Sequence, residues 1–132
     1  MAYQKKTTNL IRCPFEYALQ IFGGKWKSRI ICLLHNMGPL RFNQICAEMG
    51  GISDGVLSAA LQDLLGAGVV SRAVYGEVPP RVEYALTARG ESLIPLLRGI
   101  CLWSQTEHRF DEDDLLLPCR QCRHLHFTDQ PR

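Results

Sequence analysis

The stretch that decides the fold runs over residues 41–87: Arg41-Phe42-Asn43-Gln44-Ile45-Cys46-Ala47-Glu48-Met49, then Gly50-Gly51-Ile52-Ser53, a leucine-rich segment to Leu65, Gly66-Ala67-Gly68, and two β-type runs flanking Gly76-Glu77-Val78-Pro79-Pro80. Phe42, Ile45, Cys46 and Met49 recur at i, i+3, i+4 and i+7, the period of an amphipathic helix. Gly50-Gly51 permits a sharp turn, because glycine tolerates positive φ. Ser53 is placed to cap the next helix, its hydroxyl accepting from an otherwise unpaired backbone N–H. In that helix Leu57, Ala60, Leu61, Leu64 and Leu65 face inward, while Ser58, Ala59, Gln62 and Asp63 face out. Gly66-Ala67-Gly68 then supplies a glycine stop. Residues 69–75 and 81–87 are rich in Val, Tyr and Thr and predict two strands. Val82, Tyr84 and Leu86 fall on one face of the second, and Arg81, Glu83 and Ala85 on the other. The connection between the strands is too long and too proline-rich for a two-residue turn, which makes it an extended tip. Helix, tight turn, helix and hairpin together predict an α+β, mainly α, winged helix-turn-helix. Such a unit suits a double-helical partner, because a groove admits one helix while the wing reaches the flanking backbone.

Outward from this stretch the chain continues helical. Phe15, Ala18, Leu19 and Phe22 share one face of a helix that opens on Pro14, a tolerated first-turn residue, and ends at Gly23-Gly24. Trp26, Ile30, Leu33 and Leu34 stripe a second helix over residues 25–36, with Lys25, Lys27 and Arg29 largely outside the stripe and Gly38-Pro39 as its stop. Beyond the wing, Thr87 can cap one last helix whose Leu93, Leu96, Leu97, Ile100 and Trp103 form a long apolar ridge. Pro95 is expected to kink that helix or loosen its first turns.

Composition excludes several classes. The 132 residues are 46% hydrophobic, which allows a real core and argues against a disordered chain. Charged residues interrupt every apolar run well short of a membrane span. Residues 1–8 carry Lys5 and Lys6 with no sustained apolar segment after them, so secretion is disfavoured and a cytoplasmic protein is expected. The net charge of +2 hides an asymmetry: residues 1–109 hold twelve Lys and Arg against eight Asp and Glu, and residues 110–132 hold three against five. The acidic run Asp111-Glu112-Asp113-Asp114 marks the boundary. The expected organisation is therefore a moderately basic winged-helix domain over 1–109 and an acidic, then Cys- and His-containing tail over 110–132.

Cys13-Pro14, Gly23-Gly24-Lys25-Trp26, Arg41-Phe42, Gly51-Ile52-Ser53, Leu57, Gly68-Val69-Val70, Pro79-Pro80-Arg81-Val82-Glu83-Tyr84 and Leu86-Thr87-Ala88-Arg89-Gly90 stand in an order and spacing that resemble the HxlR-type winged helix-turn-helix transcription regulators of bacteria and archaea. The resemblance spans roughly residues 13–105. It implies a homodimer in which the first and last helices form much of the interface, with two recognition helices addressing a pseudo-palindromic double-stranded DNA operator. It further implies a transcription regulator, a repressor by expectation, and not an enzyme.

Ser53, Ser58 and Gln62 are the candidate groove-facing residues. Gln can pair bidentately with adenine, and Ser can meet a base edge or a phosphate. The plainer alternative is three solvated helix residues. Where family members usually carry Lys or Arg on this helix, residues 53–65 contain neither and hold Asp54 and Asp63. Phosphate contacts are then expected from Lys25, Lys27, Arg29, Arg41, Arg72 and Arg81. About three such contacts per subunit would give a dimer a log–log salt slope of roughly −5. The lack of cations on the helix also supports a second reading, a winged-helix protein-interaction module that does not bind DNA.

Cys13 is the regulatory candidate. A cysteine before a helix start is favoured as thiolate by the N-terminal dipole and by Arg12, and the thiolate is the reactive form. In the resemblance, regulators of this type sense oxidants or electrophiles through an N-terminal cysteine next to a proline, so the implied effector is a small oxidant or electrophile. The alternative is a structural cysteine buried at the dimer interface. Cys32, Cys46 and Cys101 sit on apolar helix faces and read as small core hydrophobes. No cofactor is expected, and three alternatives stand for the tail: zinc held by Cys119, Cys122, His124 and His126, reversible oxidation of Cys119 with Cys122, or an inert segment. The two His are closer than the usual zinc arrangement, in which three to five residues separate them. His35, His108, His124 and His126 show no partner at nucleophile–base spacing, and neither a phosphate-cradling glycine loop nor paired carboxylates accompany them, so catalysis is not expected.

Overall fold

Four helices, a hairpin, a one-turn helix and a last longer helix follow one another along the chain. The computed structural model of the chain describes residues 10–115 together with Cys119 and Cys122. The elements are α1 (Pro14–Phe22), α2 (Lys27–Met37), α3 (Phe42–Met49), α4 (Asp54–Gly66), β1 (Val70–Tyr75), β2 (Arg81–Leu86), α5 (Ala88–Glu91) and α6 (Ile94–Glu107), with a 3-10 turn at Glu112–Asp114. Pro14 opens α1, where its missing N–H costs nothing. Gly38, at φ 82°, ends α2. The turn between α3 and α4 rests on Gly50 and Gly51, at φ 59° and 101°. Any side chain there would be strained, and this is what lets the two helices pack across one another.

α4 begins as the sequence predicts: Ser53 Oγ accepts from the Val56 N–H at 3.2 Å. It ends in a Schellman-like pattern, with Gly68 at φ 77° and the Val69 N–H reaching back to the Leu64 carbonyl at 3.2 Å. β1 and β2 pair antiparallel, with Val70 opposite Leu86, Arg72 opposite Tyr84 and Val74 opposite Val82. Leu40 adds a third short rung beside β2. Its N–H donates to the Tyr84 carbonyl at 3.0 Å, and the Tyr84 N–H returns to the Leu40 carbonyl at 2.8 Å. This rung lay within the expected break after α2 and was not legible in the sequence.

The core gathers around α2. Ile30, Ile31, Leu33 and Leu34 meet Ile45 and Met49 of α3, Leu57, Leu61 and Leu64 of α4, and Val69 and Val70 at the root of the wing. Among the described residues no polar or charged side chain is buried, so the core is held by apolar packing.

The C-terminal part differs from the single helix expected after Thr87. Thr87 does cap a helix, its Oγ1 accepting from the Gly90 N–H at 3.1 Å, but that helix is only α5. Pro95 stands in the first turn of a separate helix, α6, where its missing N–H is harmless; the chain has broken ahead of the proline instead of kinking at it. The break serves packing. A Cβ on Gly90 would collide with the Val69 carbonyl and lie 2.7 Å from Leu86 Cδ1, so α5 sits directly on the wing's root. The apolar ridge is also only partly inward: Ile94 and Leu97 are buried, whereas Leu96, Ile100, Leu102 and Trp103 are exposed. On α1 the matching exposed residues are Phe15, Tyr17 and Leu19. Among the described residues no helix is long and apolar enough to cross a membrane.

Candidate nucleic-acid interface

α4 is anchored by Leu57, Ala60, Leu61 and Leu64, all buried, which leaves the opposite side in solvent. Ser53, Ser58 and Gln62 are all exposed on that side, with Val56, Ala59 and Asp63 among them. Val56 is a further exposed residue of that face that sequence reasoning did not single out. Its signal was present, since it falls outside the 57-60-61-64 stripe. An exposed apolar side chain there offers contact to a thymine methyl. The Ser53 hydroxyl is engaged as the cap, so its second lone pair and its proton are what remain for a phosphate or base.

The two carboxylates of this helix both have partners. Asp63 Oδ2 lies 3.4 Å from Lys27 Nζ at the start of α2. Asp54, in the first turn where the helix dipole favours an anion, accepts from Cys46 Sγ at 3.3 Å. Local burial first, and then this Asp54 contact, push the Cys46 thiol above its ordinary range and keep it a neutral donor.

The six predicted cations are placed in three settings. Arg41 and Arg72 are exposed, the first at the N-cap of α3, where Gln44 Oε1 accepts its backbone N–H at 2.8 Å, and the second on β1. Arg81, the first residue of β2 beside the wing tip, is held on the wing: Glu77 Oε2 lies 3.1 Å from Nη2, Glu83 Oε2 lies 3.8 Å from Nε, and the guanidinium sits 4.2 Å from the Tyr75 ring centroid. Lys25 and Arg29 both approach the Trp26 ring, at 4.8 and 5.0 Å. Arg29 also lines a cavity against α6, and Lys27 is drawn to Asp63 and to the Gln20 carbonyl. The structure thus groups Arg41 and Arg72 as exposed cations of the helix-turn-helix and wing, and engages Lys27 and Arg81 with carboxylates. Arg89, outside the predicted set, ties the unit together: Nε donates to the Ala67 carbonyl at 2.9 Å and Nη2 to the Tyr17 hydroxyl.

Cys13 is exposed at the N-cap of α1, with extended backbone and no capping bond from its thiol. Glu16 Oε1, one turn on, accepts the Arg12 backbone N–H at 2.9 Å, so a carboxylate as well as a dipole faces the thiol's neighbourhood. Cys32 and Cys101 are half-buried and, with Cys119 and Cys122, border one cavity. His124 and His126 lie outside the described residues. Among those described, no three His, Cys, Asp or Glu side chains stand together as a metal site.

A capped helix set across a glycine turn, with a hairpin wing beside it, defines the winged helix-turn-helix class. The HxlR-like helix-turn-helix family matches residues 21–112, and the chain belongs to that family of transcription regulators. It is 44% identical over 93 residues to an HTH-type transcriptional regulator of Methanothermobacter thermautotrophicus, covering 70% of each chain. The reduced form of the transcriptional regulator YodB from B. subtilis superposes with a TM-score of 0.67 at 31% identity, over 75% of this chain and 97% of that one. The redox regulator HypR in its oxidised form does so with a TM-score of 0.64 at 35% identity, over 74% of this chain and all of that one.

Proposed function

We propose that the chain is a homodimeric repressor that binds a double-stranded DNA operator and is released from it by an oxidant or electrophile acting at Cys13 in the cytoplasm. The observation that carries the reading is the outer face of α4. It is solvent-exposed, small and uncharged from Val56 through Ser58 and Ala59 to Gln62, on a helix whose other side is locked into the core. A face of this kind suits a major groove, and the exposed Arg41 and Arg72 are the candidate phosphate contacts. The exposed apolar residues of α1 and α6 supply the second half of the argument. Phe15 of α1 and Trp103 of α6 are 66% and 65% exposed, Leu96 and Ile100 fall on the same side of α6 as Trp103, and exposed apolar faces of this kind support a second copy as their cover. In such a dimer the recognition helices must stand about 34–36 Å apart to meet successive half-sites. The likeness to a redox regulator, and the exposed helix-start position of Cys13, support control at that thiol.

A second reading, a protein-interaction module without DNA affinity, draws on one observation: α4 carries no cation and holds Asp54 and Asp63. Binding to the intergenic DNA beside its own gene, measured by fluorescence anisotropy across a salt series, separates the two. The expected result is specific binding with a log–log slope of roughly −5. Absence of binding at low salt would favour the interaction module. For control, Cys13→Ser should bind as the reduced wild type does and keep its affinity after oxidant. An oxidant response equal to that of wild type would remove Cys13 from the mechanism.

A further inference from the structure

One side of α2 is polar where it meets α1 and α6. Ser28, Cys32 and Asn36 recur there at i, i+4 and i+8, with Arg29 beside the first of them. All four line a cavity of about 380 Å³ whose other walls include Phe22 of α1, Met49 of α3 and Leu97 of α6. That volume is typical of small-molecule pockets, and so is the mixture of an apolar wall with a few polar groups that fix orientation. Leu19 and Ile100 belong to the same lining and are exposed, so the cavity opens to solvent.

Two of the polar groups stand without a polar partner. Asn36 Oδ1 is buried and has no hydrogen-bond partner, and a buried acceptor left unmet calls for an explanation. Turning that amide about χ2 towards the cavity breaks no bond at Oδ1. Arg29 has the Trp26 ring at 5.0 Å, and among the described residues no carboxylate pairs with it. A guanidinium over an aromatic face keeps its in-plane N–H groups free for the fork of a carboxylate. Arg29 and Asn36 lie seven residues apart on one helix, which separates them by about 10 Å along its axis. Arg98 borders only a smaller adjoining space of about 20 Å³.

We propose that this cavity binds an apolar carboxylate about 10 Å long, its carboxylate held by Arg29 and its far end reaching Asn36. A neutral apolar guest would leave both polar groups unmet. A bare inorganic anion would leave the apolar wall uncovered. A chain with one carboxylate meets Arg29 and the wall together, and a hydroxyl at its other end meets the Asn36 acceptor as well. Arg29, expected from the sequence among the phosphate contacts, is thereby assigned to a different anion.

This proposal is independent of DNA binding and of Cys13, and its test uses neither. The full-length reduced protein would be titrated calorimetrically with octanoate, a chain of suitable length, and with 8-hydroxyoctanoate, octan-1-ol and butyrate. Octanoate should bind at one per chain, and octan-1-ol roughly tenfold or more weakly for want of the charged hydrogen bond. Butyrate, too short to span the site, should give no measurable binding, and 8-hydroxyoctanoate should bind a few-fold more tightly than octanoate. Arg29→Gln should bring octanoate down to the level of octan-1-ol while leaving octan-1-ol unchanged. Asn36→Leu should abolish the preference for the hydroxylated chain and keep octanoate. Cys101 also lines the cavity, so Cys101→Phe should fill it from α6 and remove binding of every probe, with circular dichroism checking the fold. Neither Arg29→Gln nor Asn36→Leu removes a buried apolar group, so the test stands even where Cys101→Phe unfolds. Octanoate binding unchanged in Arg29→Gln would mean adsorption to the exposed apolar faces of α1 and α6, and would overturn the proposal. Binding that disappears as the chain self-associates would assign the cavity to a second copy instead. Lack of saturable binding by either eight-carbon carboxylate would overturn it altogether.

Discussion

α4 and α6 are both amphipathic helices of similar length, and they use their apolar sides differently. α4 sinks Leu57, Leu61 and Leu64 into its own chain, leaving outward a face with small and polar side chains. α6 buries Ile94 and Leu97 and leaves Leu96, Ile100, Leu102 and Trp103 in solvent. The first helix is complete within one chain and offers its partner hydrogen-bonding groups. The second is incomplete and offers area. The difference is between two kinds of surface: a firmly held polar helix face, of the kind a groove rewards, and an apolar face, of the kind that gains from burial.

The contrast breaks most visibly at Leu61. It is 2% exposed at the meeting of α4 with α2, so Leu61→Ala removes buried methylenes and leaves a cavity. The expected loss is about 2–5 kcal/mol of unfolding free energy, read by chemical denaturation. The matching truncation on α6, Trp103→Ala, should hardly touch the unfolding of an isolated chain, because Trp103 is largely exposed within it. Its effect should fall on association instead: about 2 kcal/mol, roughly thirtyfold in the dimer dissociation constant, by sedimentation at several concentrations. If Trp103→Ala lowered stability independently of protein concentration and left association intact, α6 would be packed within its own chain and the comparison would fail.

How much of this was legible follows the same division. The 3.6-residue period and the glycines at 50, 51 and 68 placed α3, α4 and the turn correctly, because those signals are local. Ser53 and Thr87 were readable as caps for the same reason. The split between α5 and α6 was not, because it answers to the fit of Gly90 against Val69 and Leu86, a contact between distant segments. Pairing of charges was equally hidden. Lys27 with Asp63 and Arg81 with Glu77 and Glu83 join residues whose proximity only the fold creates, or whose choice of partner it decides. The convergence of Cys32 and Cys101 with Cys119 and Cys122 is of this long-range kind too.

On the α4 side the comparison sharpens through two substitutions with different signatures. Gln62→Ala removes an exposed groove-face amide and should cost about 1–3 kcal/mol at the operator, with far less change on unrelated DNA. Arg72→Ala removes an exposed wing cation and should weaken binding to all sequences alike, lowering the magnitude of the salt slope by about one per subunit. Anisotropy titrations on operator and scrambled duplexes distinguish them. An equal loss for Gln62→Ala on both duplexes would mean that Gln62 is a solvated residue or a phosphate contact and that sequence is read elsewhere.

The smallest expected effect concerns the carboxylates of α4. Asp63 is 63% exposed at its side chain and its partner Lys27 is 23% exposed, so the pair contributes little to stability, under about 1 kcal/mol. Two consequences of Asp63→Asn then oppose each other. The helix loses an anion that repels phosphate, and Lys27 is released from its carboxylate to meet the backbone. Against this, the link between the start of α2 and the end of α4 is weakened. If electrostatics decides, operator affinity rises by a few-fold and the salt slope steepens by about one per subunit. If the link positions α4, affinity falls while the slope stays unchanged. The first outcome makes the carboxylates of α4 a restraint on indiscriminate binding, one that leaves discrimination to the uncharged face at Ser58 and Gln62. The second makes Lys27 a brace for the recognition helix and moves the search for phosphate contacts to Arg41 and Arg72.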